Sequence, residues 1–177
     1  MNKRFVLAGG PGAGKTAVLE RLHALGYHCA PDVARGIIRA RLRAGLSPRP
    51  APVAFAQTIL AEDVKHHAAA PADAVSLFER GAIDTLGTLW ALGALDATQL
   101  EHQLKTCPYN PRVFVFPPWA AIYRTDAERD QTFTEAVRGY EQAKRWYGRC
   151  GYQVIEVPHA PVAERAAFLV EAIDSVL

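Results

Sequence analysis

Residues Gly9 to Thr16 read Gly-Gly-Pro-Gly-Ala-Gly-Lys-Thr, a complete G-x-x-x-x-G-K-T loop. Gly9, Gly10, Gly12 and Gly14, with Pro11 and Ala13 between them, let backbone N–H groups close around phosphate oxygens without side-chain clash. Lys15 supplies a charge that can reach the β and γ phosphates, and the Thr16 hydroxyl can hold Mg²⁺. A glycine-rich turn that happens to contain a lysine is the alternative, and the context argues against it. An apolar run, Phe5–Ala8, precedes the loop and reads as a buried strand. Behind it, Val18, Leu19, Leu22 and Leu25 recur at helical spacing and stop at Gly26. Strand, glycine loop and helix form the arrangement that binds a nucleoside triphosphate. ATP is the expected nucleotide, with GTP left open.

Three further clusters combine acids with arginines. Asp32 in Pro31-Asp32-Val33-Ala34-Arg35 stands where a helix begins. It is either an N-terminal cap or a carboxylate that takes a proton from an acceptor hydroxyl, with Arg35 one turn on. Glu79-Arg80-Gly81-Ala82-Ile83-Asp84 follows an apolar strand. Glu79 sits where a Walker B carboxylate could hold a Mg²⁺-bound water. Arg80 would point into the same cleft, and Asp84 opens the next helix. The alternative there is an ion pair plus a helix cap. Tyr123 to Asp130 is dense in charge. It reads as a solvated helix start or as a lid, around residues 123–131, whose Arg124 and Arg129 cover the transferring phosphate. Arg35, Arg39 and Arg43 recur every four residues on one helix face, with Val33, Ile37 and Ala40 on another. The basic face is solvated or meets an anionic partner. His66 and His67 are adjacent, diverge on a helix, and make a poor metal pair.

These residues need a scaffold that brings them together. Five apolar segments read as strands: Phe5–Ala8, Tyr27–Ala30, Val75–Phe78, Val113–Phe116 and Gln153–Val157. They lack alternation, as parallel strands covered on both faces do. Helical patterns lie between them, so the fold class is α/β, a three-layer sandwich on a five-stranded parallel sheet. In such a sheet, functional groups gather at the carboxyl ends of the strands, where all of the clusters fall. The length of 177 residues suits a single domain spanning 1–177. A net charge of +2 makes no global case for nucleic acid or membrane surfaces. No segment is apolar enough to span a membrane. Cys29, Cys107 and Cys150 lack metal-ligand spacing and suggest reduced thiols in the cytoplasm.

Taken together, the segments resemble the AAA-domain family of P-loop ATPases that includes the ribosylnicotinamide-kinase domain of bifunctional NAD-biosynthesis regulators. The resemblance rests on Gly9–Thr16, Pro31–Arg35, Phe78–Gly81 with Asp84, and Tyr123–Arg129. It extends to Gly151-Tyr152, Val157-Pro158 and Pro161–Arg165. Pro31–Arg35 and Glu79-Arg80 are similar also to deoxynucleoside kinases. The resemblance implies a nucleoside-kinase-like P-loop fold, Asp32 as general base on an acceptor hydroxyl, and Arg80 on phosphate. It also implies Arg124 and Arg129 in a lid and Pro158 beside the adenine. Members of the family commonly carry glutamate at the Asp32 position and aspartate at the Glu79 position. The implied activity is Mg²⁺-ATP-dependent phosphoryl transfer to a small molecule, a nucleoside or ribosyl compound. A nucleotide-dependent switch and a nucleotide kinase are the alternatives.

Overall fold

The computed structural model describes residues 1–125 and 131–177. Five strands and seven helices alternate along it. They run β1 (Arg4–Gly9), α1 (Lys15–Ala24), β2 (His28–Ala30), α2 (Val33–Arg43), α3 (Pro52–Ala69) and β3 (Ser76–Glu79). After these come α4 (Ala82–Ala91), α5 (Ala97–Thr106), β4 (Arg112–Phe116), α6 (Phe133–Arg149), β5 (Gln153–Glu156) and α7 (Val162–Asp174). The strands form one parallel sheet in the order β2-β3-β1-β4-β5. β1 lies at its centre, and the strand order reverses there. The crevice at the carboxyl end of such a strand is the general ligand position in open α/β sheets.

Alternation along β1 divides the core into two layers. Phe5 and Leu7 face one side, with Leu22 of α1 and Leu169 and Ile173 of α7. Val6 and Ala8 face the other, with Ile83 and Leu86 of α4 and Tyr147 of α6. These side chains are essentially inaccessible to solvent, and each apolar one contributes roughly 1.5–3 kcal/mol by leaving water. The central strands β1, β3 and β4 are therefore covered on both faces, as continuous apolar runs require.

The edges depart from that expectation. β2 has only three residues and leaves Tyr27 outside. β5 stops at Glu156, and its Gln153 and Glu156 are exposed. An edge strand is buried on fewer sides, so polar residues are tolerated along it. Helix α2 differs too. Its one buried residue is Ile38, whereas Ala40, expected on the apolar face, is exposed. This helix packs on α3 and touches no strand closely, so a narrow contact line suffices.

Local sequence sets the helix boundaries around the site. Gly14 precedes α1 in the left-handed region (φ 82°), and no side chain caps the helix. The first-turn N–H groups are thus left for a ligand. Asp32 caps α2, its Oδ1 accepting from the Arg35 N–H at 3.2 Å. Thr132 and Glu135 close a reciprocal capping box on α6.

Candidate active site

A cavity of about 1320 Å³ opens at the carboxyl ends of β1, β2 and β3. Its walls include the whole Gly9–Thr16 loop together with Asp32, Arg35, Glu79, Arg80 and Asp84. Residues more than sixty positions apart in sequence therefore share one chamber. The volume exceeds the roughly 300–1,000 Å³ of a site for one drug-sized ligand.

The loop is held from three directions. Gly10 lies so close to α6 that a Cβ built on it would stand 2.2 Å from the Ala136 carbonyl oxygen. Beneath it, the buried Arg165 of α7 donates from Nη1 to the Ala13 carbonyl at 3.0 Å. A Cβ at Gly14 would meet that same Nη1 at 2.7 Å. On a third side, the Tyr123 ring presses on Gly12, and its hydroxyl donates to the Gln131 carbonyl. Trp119 stacks between His159 (ring centroids 5.1 Å apart) and the Arg165 guanidinium (5.5 Å). The segment after β4 is thereby tied to the loop before α7.

Lys15 is buried and donates to the Gly9 and Gly10 carbonyls at 3.2 and 2.7 Å. Burial and the nearby Arg80 cation lower its pKa to about 8, against the pull of Glu79, Asp32 and Asp84. The Thr16 hydroxyl donates to Glu79 Oε1 at 2.9 Å. This hydroxyl and carboxylate, side by side at the foot of the loop, are hard oxygen donors of the kind that Mg²⁺ takes, directly or through water.

Asp32 has two partners at once. Besides capping α2, its Oδ2 accepts from Arg80 Nε at 3.3 Å. The cap and the cleft carboxylate are therefore the same residue. A short aspartate suits the cap better than glutamate does, which accounts for the residue type here. Arg80 is the one non-glycine among the described residues at positive φ (64°). That sparsely populated backbone, secured by its N–H on the Leu7 carbonyl (2.9 Å), carries the guanidinium past Asp32 to Asp84, 3.8 Å away. Burial opposes the Arg80 charge, yet Asp32, Asp84 and Glu79 together raise its pKa above the ordinary arginine value. Asp84 Oδ2 in turn accepts from the buried Tyr147 hydroxyl at 2.6 Å. Burial raises the Asp84 pKa, while Arg80 and Tyr147 oppose the rise.

Other expected residues lie elsewhere. Arg124 is exposed, with Nη1 on the Tyr123 carbonyl at 2.7 Å, and it is not part of the cavity wall. Pro158 is exposed and does not line the cavity either; Val162 and Arg165 do. Arg129 and most of the expected lid, residues 126–130, lie outside the described residues. Arg39 and Arg43 are exposed, and Arg35 separates from them by turning into the cavity. His67 is a core residue, its Nε2 on the Pro108 carbonyl at 2.8 Å and its ring against Phe78 and Tyr109. No metal-binding cluster of His, Cys, Asp and Glu occurs among the described residues. No described helix is long and apolar enough to cross a membrane.

Three residues on the cavity wall have no role in the sequence reading. Asp63 of α3 sits in a run, Glu62-Asp63-Val64-Lys65, that looks like an ordinary solvated helix face. Arg138 of α6 is one of many helical arginines. Arg165 closes the Pro161–Arg165 run that carries the resemblance, and this was the available signal.

The model of the family described as "AAA domain" matches residues 4–165, most of the chain. The chain belongs to this AAA-domain family. No curated protein of established function matches the sequence. Among solved structures, a deoxyadenosine kinase from M. mycoides with the products dCMP and dCDP bound is similar. Its TM-score is 0.64 at 12% identity, over 98% of this chain and 100% of that one. A thymidylate kinase from Ehrlichia chaffeensis is similar with a TM-score of 0.60 at 11% identity, over 98% of each chain. At such identities the likeness is one of fold, and it is that of P-loop nucleoside and nucleotide kinases. An AAA-domain sequence thus lies on the fold that P-loop nucleoside and nucleotide kinases share.

Proposed function

We propose that this AAA-domain protein is a Mg²⁺-ATP-dependent phosphotransferase whose acceptor is the hydroxyl of a small nucleoside or ribosyl compound. The observation that carries the reading is the Asp32–Arg80 pair. A carboxylate and a guanidinium, joined at 3.3 Å, share a cavity wall with Lys15 and the loop glycines. A nucleotide-binding switch needs the loop and a mobile partner surface. It has no use for a carboxylate held opposite the phosphate loop in the same chamber. The two kinase-like neighbours support the same reading, one of them solved with deoxynucleotide products.

In this reading the triphosphate lies along Gly9–Thr16, bound by loop N–H groups and Lys15. Thr16 and Glu79 would hold Mg²⁺, which would neutralise charge on the phosphate oxygens when bound. Asp32 Oδ2 accepts the proton of the acceptor hydroxyl as that oxygen attacks the γ-phosphorus, the bond from γ-phosphorus to the β-phosphate oxygen breaks and ADP leaves. Arg80, charged by its three carboxylate neighbours, stabilises the transferring group, and Asp84 with Tyr147 fixes its far end. Arg35 and Asp84 border the acceptor. Arg124 and Arg129 are proposed to cover the phosphates from the lid around 123–131, and Pro158 to border the adenine. Residues 1–177 act as one kinase-like domain, working in the cytoplasm.

The Asp32→Asn variant tests this. Asparagine is as good a helix cap, so the fold and ATP affinity should survive within a few fold. Phosphoryl transfer should fall by ~10²-fold or more, as loss of a general base does. Transfer at the wild-type rate, measured by ADP release with acceptor present, would leave Asp32 as a cap alone.

A further inference from the structure

The phosphoryl chemistry leaves one buried carboxyl unused. Asp63 on α3 is 7% exposed and lines the cavity. Its Oδ2 accepts from the Thr85 hydroxyl of α4 at 2.8 Å, its one hydrogen-bond partner among the described residues. No arginine or lysine among the described residues pairs with it. The charges of Asp84, Asp32 and Arg80 act on it without pairing with it. Among the described residues Oδ1 has no hydrogen-bond partner. The same cavity wall also holds Ile38, Phe55 and Ile59 from α2 and α3.

Such a carboxyl is a poor structural device. Burial without a cation costs free energy, and an apolar pair in place of Asp63 and Thr85 would join α3 to α4 at less cost. A polar group kept at that cost and facing a substrate chamber is a reader of substrate.

We infer that Asp63 selects the acceptor by accepting a hydrogen bond, through Oδ1, from an N–H donor on the acceptor's planar ring. The inference rests on the nucleoside-acceptor reading above and adds the ring class to it. The favoured acceptors carry an exocyclic amine, as cytosine and adenine do, with the ring lying along Phe55 and Ile59. Their oxo counterparts, uracil and hypoxanthine, would bring a carbonyl oxygen against the carboxylate lone pairs, leaving both groups unpaired. Sites that lose a buried hydrogen bond in this way discriminate well. Thr85 is then a positioning residue, because its hydroxyl fixes which carboxyl oxygen faces the ring.

The test uses the whole chain with Mg²⁺-ATP and four acceptors: cytidine, uridine, adenosine and inosine. It is run at pH 8, above the value near 7 to which burial raises the Asp63 carboxyl. Wild type should favour each amine over its oxo counterpart by about tenfold or more in kcat/KM. Asp63→Leu should bring both ratios close to one by raising KM for the amines, with kcat nearly unchanged. Asp63→Asn, which keeps size and fold but can donate, should shift selectivity toward uridine and inosine. Thermal melts establish that each variant is folded. Ratios unchanged in Asp63→Asn, or all four acceptors impaired equally, would make Asp63 a packing residue and overturn the inference while leaving the kinase reading intact. Wild type that phosphorylates none of the four overturns the nucleoside reading and this inference together.

Discussion

Lys15 shows how one side chain can serve binding at the expense of stability. Its folded pKa, about 8, lies below the 10.5 of an unperturbed lysine. Between those values the unfolded chain holds more protons, so stability rises with pH across that window. Below about pH 8 the buried charge is a standing cost on the order of 1–3 kcal/mol. Lys15→Met should therefore raise the melting temperature of the nucleotide-free protein at pH 7 while nearly abolishing triphosphate affinity. A lower melting temperature with affinity intact would contradict both halves. Triphosphate binding should also raise the Lys15 pKa, so that binding at pH 8 takes up protons. Calorimetric titration in buffers of different ionisation enthalpy reads that uptake directly. Asp63 follows the opposite sign. Its pKa is raised from 3.8 to about 7, so its folded form holds the extra proton and stability falls as pH climbs through that window. Asp63→Asn should gain stability over wild type at pH 8 and lose the advantage by pH 4. Neither cost could be read from the sequence. Asp63 lies between Glu62 and Lys65 on what looks like a polar face, and only the packing of α3 against α4 turns it inward.

At the scale of elements, the phosphate loop works because α6 and α7 clamp it. Gly10 makes that dependence testable. A methyl there would stand 2.2 Å from the Ala136 carbonyl, and a backbone carbonyl in a capped helix cannot swing away. Gly10→Ala should lose about 1–3 kcal/mol in chemical denaturation and weaken triphosphate binding as α6 backs off the loop. Gly139→Ala is the control from the other side of the same contact. Its Cβ would sit an ordinary 3.7 Å from Gly10, and an alanine in a helix interior should leave stability equal or raised by ~0.5–1 kcal/mol. Equal losses in both variants would dissolve the clamp. The elements themselves were legible where burial is complete. Phe5–Ala8, Val75–Phe78 and Val113–Phe116 mark β1, β3 and β4 to within a residue or two, because strands covered on both faces must be apolar throughout. The edges β2 and β5 were placed as closely, each off by one residue at one end. The loop motif and the two acid–arginine clusters were legible as chemistry. That Asp32 and Arg80 touch was not, because their meeting depends on the pairing of β2 with β3.

The whole molecule turns on where the sheet reverses. With β1 central and β3 and β2 beside it, the triphosphate loop, Asp32 and the Glu79–Asp84 segment all emerge on one rim. One chamber there takes in the phosphate loop, Asp32, Arg80 and Asp84 together. A small hydroxyl compound is proposed to occupy the second place there, beside the nucleotide. The direct measurement incubates the protein with Mg²⁺-ATP and a panel of nucleosides and ribosides, then looks for a phosphate ester by mass spectrometry. ATP turnover should be slow without an acceptor, because a kinase must keep water from the γ-phosphate. A correct acceptor should raise ADP release and appear as a product heavier by one phosphoryl group, and Asp32→Asn should lose that product. No phosphorylated product from a broad panel, with ATP hydrolysed at the same rate with or without every candidate acceptor, would contradict the claim.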